Sequence, residues 1–178
     1  MQKSQSFATA ESVAALEAVV TMSASAAAKA LNELLIRESP LGVLRRLKFE
    51  SVGRDPLSDR PLNLIEQVNQ TFTYLATFEA VKYLFRIHPA RAPFTVNLGT
   101  ASGPDISSSD GSVVAEVFAA VTPNNNQKLS KDLKKLSKVA AAHRYVFYSC
   151  IGHAAAELPP HKRYPGVTIV SLGMCGPQ

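Results

Sequence analysis

Between residues 11 and 37, Leu16, Val20, Ala27, Leu31, Leu34 and Leu35 recur at helical intervals in an alanine-rich background. That spacing predicts an amphipathic α-helix. The Ser/Ala run at 23–28 is expected to divide it in two, and Ser39-Pro40 stops it, because a residue before proline avoids the α region. Residues 41–62 carry Pro56 and Pro61 and show no sustained period. They read as loop, with a short strand near 47–52. A second helix is predicted over 63–87. Asn63 with Glu66 has the spacing of a capping box, and Ile65, Val68, Phe72 and Leu75 form an apolar stripe that ends before His88-Pro89. Glu79 continues that stripe. A carboxylate on a core-facing line must be paired, neutralised or put to use.

The period then changes. Residues 94–100 read as a strand, and 105–109 and 112–121 as the two arms of a hairpin around Asp110-Gly111. A two-residue hairpin loop asks for φ > 0 at both central positions, which Asp-Gly tolerates. Residues 122–126 supply a turn and cap. Over 127–142, Leu129, Leu133, Leu136 and Ala140 share one helical face and five lysines take the other. Residues 145–150 and 167–172 are short apolar strands, separated by a loop carrying Pro159, Pro160 and the basic run His161-Lys162-Arg163. Helix, strand, hairpin, helix, strand, strand implies an α/β fold: a mixed central β-sheet flanked by helices, with strand 145–150 parallel to the hairpin's second arm. Residues 1–62 form an N-terminal helical extension, polar and frayed over 1–10, packed on a core of residues 63–178 in one compact domain.

A chain of 178 residues, 46% apolar, is large enough to bury a core and too apolar for disorder. Charges and polar residues interrupt every long apolar run, so no membrane span is expected, and Glu11 and Glu17 break the apolar centre that a signal peptide needs. Cys150 and Cys175 make no disulfide framework, and free thiols point to the cytoplasm. Together with His153 and His161 they match no common zinc spacing. No nucleophile elbow, Walker loop or dinucleotide fingerprint is present. The formal charge is +5, and the stretch 127–144 alone carries that excess: Lys128, Lys131, Lys134, Lys135, Lys138 and Arg144 against Asp132. A basic patch so concentrated suggests a polyanionic partner, DNA foremost, with Lys162 and Arg163 adding to it.

The hairpin carries the candidate chemistry. If Ser109 meets Ser112 across the turn, Asp105 lies directly opposite Glu116. Facing side chains sit roughly 5 Å apart at Cβ, and like charges there repel. A bound cation would offset the repulsion. Taken singly, Asp105 reads as a turn residue and Glu116 as a solvent-facing strand residue.

The element order, Pro104-Asp105 opening one hairpin arm and Glu116 on the other resemble the PD-(D/E)XK, restriction-endonuclease-like nuclease superfamily over residues 63–172. The resemblance implies a restriction-endonuclease-like core and hydrolysis of DNA phosphodiesters with Mg²⁺ or Mn²⁺, bound by Asp105 and Glu116. It implies an assisting helix acid, for which Glu79 is placed. It implies a lysine two positions after the glutamate, but position 118 is Phe118. Either a lysine from the next helix replaces it, Lys128 being nearest and Lys131 next, or the site has decayed and the protein binds nucleic acid, or serves in assembly, without cutting. Restriction-type enzymes often act as homodimers, and the small residues of the N-terminal helices are expected to permit close approach of a second copy.

Overall fold

Thr9 caps the first helix, its Oγ1 accepting from Ser12 N–H, and α1 then runs unbroken over Ala10–Arg37. The structure, a computed structural model, describes residues 4–98 and 103–173. The Ser/Ala run does not split α1. Thr21 and Ser25 donate their hydroxyls to carbonyls four residues back, so the helix absorbs its own polar side chains. No membrane span was expected, yet α1 is long and apolar enough by composition to cross a membrane and little of its apolar stretch is buried; Val13, Val20 and Leu34 are the residues it turns inward, and it packs on the helix over Leu64–Ile87. The stop at Ser39-Pro40 is also a start. Ser39 Oγ accepts from Gly42 N–H and Pro40 takes the first helical position of α2 (Pro40–Phe49), where 41–62 had read as loop and 47–52 as strand. β2 (Gly53–Arg54) and β3 (Pro61–Leu62) form a small ribbon. It is tied down by Asp55, whose carboxylate accepts from Leu57 N–H, Ser58 N–H and the Tyr74 hydroxyl.

The capping residue of α3 (Leu64–Ile87) is Asn63, as expected, with its side chain accepting from Glu66 N–H at 2.8 Å. The buried face differs from the predicted stripe. Tyr74, Phe78, Val81 and Leu84 are inside, whereas Ile65, Val68 and Phe72 are 46, 46 and 39% exposed. Pattern alone put Ile65 to Phe72 inside. The sheet beneath engages only the later turns of the helix; at its start Leu64, Gln67 and Thr71 are the buried residues, and Gln67 Nε2 donates to the Ser23 hydroxyl of α1.

Seven strands form one mixed sheet: β1 (Ser4–Phe7), β4 (Phe94–Asn97), β5 (Ile106–Ser108), β6 (Val113–Ala119), β7 (His143–Ser149), β9 (Thr168–Leu172) and β8 (Ala155–Glu157), in that spatial order. β6, β7 and β9 run parallel, and the flanking pairs are antiparallel. Residues 4–7 are therefore an edge strand, not frayed chain. β8 occupies part of the stretch read as loop. The predicted strand 94–100 ends at Asn97, and residues 99–100, like Cys175, lie outside the described residues. Alternation along β6 divides the core. Val113, Ala115 and Val117 face α1 and α3, while Val114 and Phe118 face Leu133 and Leu136 of α4 (Lys128–Leu136). The last helix is shorter than the predicted 127–142, because after Leu136 the chain tightens into three-residue turns, Lys138 N–H to Lys135 O and Val139 N–H to Leu136 O.

Candidate active site

The hairpin tip is not the two-residue turn the Asp-Gly pair suggested. Gly111 has φ +68°, but Asp110 does not share that region. Residues 109–112 close instead around the Asp110 carboxylate, which accepts from the Ser108 hydroxyl, the Ser112 N–H and hydroxyl, and Arg91. Those bonds hold the Asp110 carboxyl far below the usual carboxylate range.

The register is the expected one. Ile106 pairs with Ala115 and Ser107 with Val114, so one step further Asp105 stands opposite Glu116. β5 has ended there, and the Val117 N–H would lack a strand acceptor. Asp105 Oδ2 supplies it at 2.8 Å. Two further bonds fix this corner to β4: Asn97 N–H to Asp105 O, and Asn97 Nδ2 to Pro104 O at 2.7 Å.

Glu116 lies between Val114 and Phe118 on the α4 face and is 2% exposed. Burial first, then the Asp105 charge, push its pKa up to about 7. Lys135 opposes them, its Nζ 2.7 Å from Glu116 Oε1 and also donating to the Gly103 carbonyl at 2.7 Å. Asp132 of α4 is 3% exposed. Lys128 Nζ donates to its Oδ1 at 2.9 Å, and among the described residues Oδ2 is buried with no hydrogen-bond partner. Its pKa is raised too, by burial first, with Asp105 among the further causes. Three carboxylates and two lysines thus form one electrostatic cluster. Beside it opens a cleft of about 370 Å³ lined by Thr73, Asp105, Phe118, Asn125, Asn126 and Lys128, among others. Asn126 and Gln127, at the cleft's rim, hold φ +52° and +58°, so the chain turns sharply just before α4.

Several residues stand elsewhere than the sequence placed them. Glu79 does not join Asp105 and Glu116. α3 covers the opposite face of the sheet, and Glu79 pairs there with Lys82 at 2.8 Å, its side chain 41% exposed; Lys82 also holds Glu17 at 2.6 Å. Leu75, four residues earlier on the same stripe, is buried, but the Glu79 carboxylate reaches the surface, where Lys82 pairs with it. The lysine on Glu116 is Lys135, not Lys128 or Lys131. Lys128 is bound to Asp132, and Lys131 points outward. Position 118 is filled by the core: Phe118 stacks on Tyr148 with ring centroids 5.9 Å apart. Of the predicted nucleic-acid contacts, Lys131, Lys134 and Lys138 are exposed on or just beyond α4. Arg144 sits at the start of β7 with its guanidinium against Gly166. Lys162 and Arg163 are exposed in the loop before β9, with Arg163 over the Tyr164 ring. Asp132 was missed as a site residue. The signal was present: it falls three residues after Leu129 and four before Leu136, on the buried side of its helix.

Could this cluster hold a divalent cation? The donors are carboxylate oxygens alone, which suits a hard ion such as Mg²⁺. Asp132 Oδ2 is a buried, unpartnered acceptor, and Glu116 is a buried acid held near neutrality. The residues fit. Among the described residues no group of three His, Cys, Asp or Glu side chains is placed to hold a metal ion; Lys135 pairs with Glu116 and Lys128 with Asp132. Comparison with protein-family models, with curated proteins and with solved structures finds no match.

Proposed function

We propose that the protein is a metal-dependent nuclease that hydrolyses DNA phosphodiester bonds, possessing a variant PD-(D/E)XK site in which Lys135 of α4 takes the role of the missing strand lysine. One observation carries this reading: Asp105 and Glu116 stand opposite each other beside an open cleft, and a lysine from the next helix lies 2.7 Å from the glutamate. Mg²⁺ or Mn²⁺, when bound by Asp105 and Glu116, supplies charge at the phosphate oxygens and a bound water of lowered pKa. The chain's own groups do the rest. The Val117 N–H fixes Asp105, so its carboxylate is pre-aimed. Glu116, whose pKa burial raises to about 7, would release its proton as the cation binds. Lys135 brings a positive charge where negative charge develops on the phosphate. Asn125, Asn126 and Lys128 line the cleft as donors to phosphate oxygens. The exposed Lys131, Lys134 and Lys138 extend that contact along the backbone, giving salt-sensitive affinity. This reading places the protein in the cytoplasm, acting on DNA, with its buried Cys150 a free thiol.

A second reading, a nucleic-acid-binding module that has lost catalysis, is favoured by Phe118, which gives the usual lysine position wholly to the core. Plasmid DNA incubated with Mg²⁺ or Mn²⁺ separates the two. The nuclease reading expects cleavage that Asp105→Ala and Glu116→Ala abolish while DNA binding persists. A parent chain that binds DNA but leaves it intact with either metal supports the binding module instead.

A further inference from the structure

α2 is only lightly packed on the rest of the molecule: of its ten residues, Val43 alone is buried. On the side away from Val43, Leu41, Leu44, Arg45, Lys48 and Phe49 follow one another at the three- and four-residue steps of a single helical stripe. Such a stripe normally faces a core, but every one of these residues faces solvent. Leu41, Leu44 and Phe49 are 77, 63 and 77% exposed, and Leu35 and Ile36, at the end of α1, are 59 and 76% exposed. Ile65 of α3 joins the α2 residues around an open hollow of about 560 Å³. Apolar side chains scattered singly over a surface are ordinary, whereas a contiguous group of them marks a contact.

The charges say what kind of contact. At about 100° per residue, the order around the outer face is Leu44, Lys48, Leu41, Arg45, Phe49, so apolar and basic side chains alternate. Nearby acids do not cancel the charge. Glu38 and Glu50 are both held by Arg46, at 2.8 and 2.9 Å. Arg45, its side chain 70% exposed, reaches Glu50 at 3.2 Å, and Arg37 and Lys48 form no ion pair among the described residues. The occupant must therefore offer anionic groups and apolar depth within one side chain's length of each other. A bilayer surface does so: long basic side chains stay with the headgroup phosphates while leucine and phenylalanine enter the acyl boundary. DNA would leave the leucines and Phe49 against phosphates. A second copy on a two-fold axis would set Arg45 and Lys48 close to their own counterparts.

We propose that the outer face of α2 docks the protein on an anionic lipid bilayer, with Leu41, Leu44 and Phe49 entering the interface and Arg45 and Lys48 meeting the headgroup phosphates. The contact is peripheral and needs no spanning segment. It lies outside the cleft and does not depend on the nuclease reading.

The test mixes the full chain, without nucleic acid or divalent metal, with sedimentable vesicles of phosphatidylcholine alone or with roughly one-third phosphatidylserine. The parent is expected to sediment with the anionic vesicles only, and less so as salt rises. The chain has no tryptophan, so Phe49→Trp places a single reporter whose emission should shift to the blue on those vesicles. Leu44→Ser with Phe49→Ser, and separately Arg45→Gln with Lys48→Gln, should each weaken binding by about tenfold or more; all four positions are exposed, and circular dichroism checks that the fold is kept. Lys131→Ala with Lys134→Ala, on α4, should leave vesicle binding unchanged. A parent that stays in solution with anionic vesicles, or a Phe49→Trp emission that does not move, overturns the proposal. So does vesicle binding that the α4 pair abolishes and the α2 pairs do not. A dimer in sedimentation velocity that Leu44→Ser with Phe49→Ser dissolves assigns the face to a second copy, and DNA affinity that falls with Arg45→Gln and Lys48→Gln assigns it to nucleic acid; either result overturns the bilayer contact.

Discussion

Glutamine at position 116 isolates what it costs to hold a carboxylate inside this fold. Glu116 is almost fully buried, and burial, then the Asp105 charge, raise its pKa from 4.5 to about 7 against the opposing effect of Lys135. Over that window the native state holds a proton that the unfolded chain has released, so stability falls as pH rises from about 4.5 to about 7 and is level on either side. At about 1.4 kcal/mol per pH unit, a window of about 2.5 units amounts to roughly 3 kcal/mol lost at pH 8. Glu116→Gln removes the titrating group and keeps the shape. The variant is therefore expected to be more stable than the parent by roughly 3 kcal/mol at pH 8 and by almost nothing at pH 4.

Urea unfolding of both chains at pH 4, 6 and 8 in EDTA measures this, and the difference between them cancels groups that titrate alike in each. Saturating Mg²⁺ at pH 8 should narrow the gap, because a cation that binds only the ionised native site stabilises the parent alone. A variant less stable than the parent at pH 8, or a gain as large at pH 4 as at pH 8, would refute the reasoning. The expected gain carries a functional implication. A residue whose removal stabilises the protein is one that the fold does not need, and such residues concentrate at working sites.

Leu133→Ala should destabilise the protein by about 3 kcal/mol in denaturant melts, because Leu133 is wholly buried between α4 and the sheet. Cleavage should fall with it, since α4 carries Lys128 and Lys135. Glu79→Gln should leave DNA cleavage and Mn²⁺ affinity unchanged and shift stability by no more than about 0.5 kcal/mol, as expected of a half-exposed ion pair on the far face; a loss of cleavage would return Glu79 to the site. Replacing Lys131 and Lys134 together by alanine should flatten the slope of log affinity against log salt for DNA by about two, and an unchanged slope would remove that face from the contact.

The register of the hairpin was legible because it depends on a parity count from a turn that any Asp-Gly tip constrains. The turn's type was not legible, since Asp110 closes it through its side chain and Ser108, a bond that no periodicity encodes. The mixed sheet and the parallel β6–β7 pair followed from element order. α2 escaped notice because Ser39-Pro40 both ends one helix and caps the next. Glu79 was misplaced for a tertiary reason: which side of α3 faces the sheet depends on where α1 packs, and helical spacing alone makes the stripe through Ile65, Val68 and Phe72 look like the inner one. Lys135 and Asp132 were invisible as partners because their distance from Glu116 is set by how α4 docks.

That docking has a simple geometry, and on the nuclease reading proposed above it would make a strand lysine dispensable. Leu129, Leu133 and Leu136 form the stripe by which α4 seats on β6 and β7. Lys128, Asp132 and Lys135 follow the same four-then-three spacing one residue earlier, so they form a parallel stripe turned by about 100° around the helix. Seating the leucines therefore aims the charges, and the apolar contact that fixes the helix also fixes the lysines over Glu116 and the cleft. A lysine at position 118 would instead begin inside the apolar cluster, beneath α4 and against Tyr148, where an ammonium is expensive to bury. Supplying the cation from the helix leaves the β6 position free for an aromatic that strengthens the same docking. The Phe118 departure and the Lys128–Asp132–Lys135 stripe are thus two consequences of one packing arrangement.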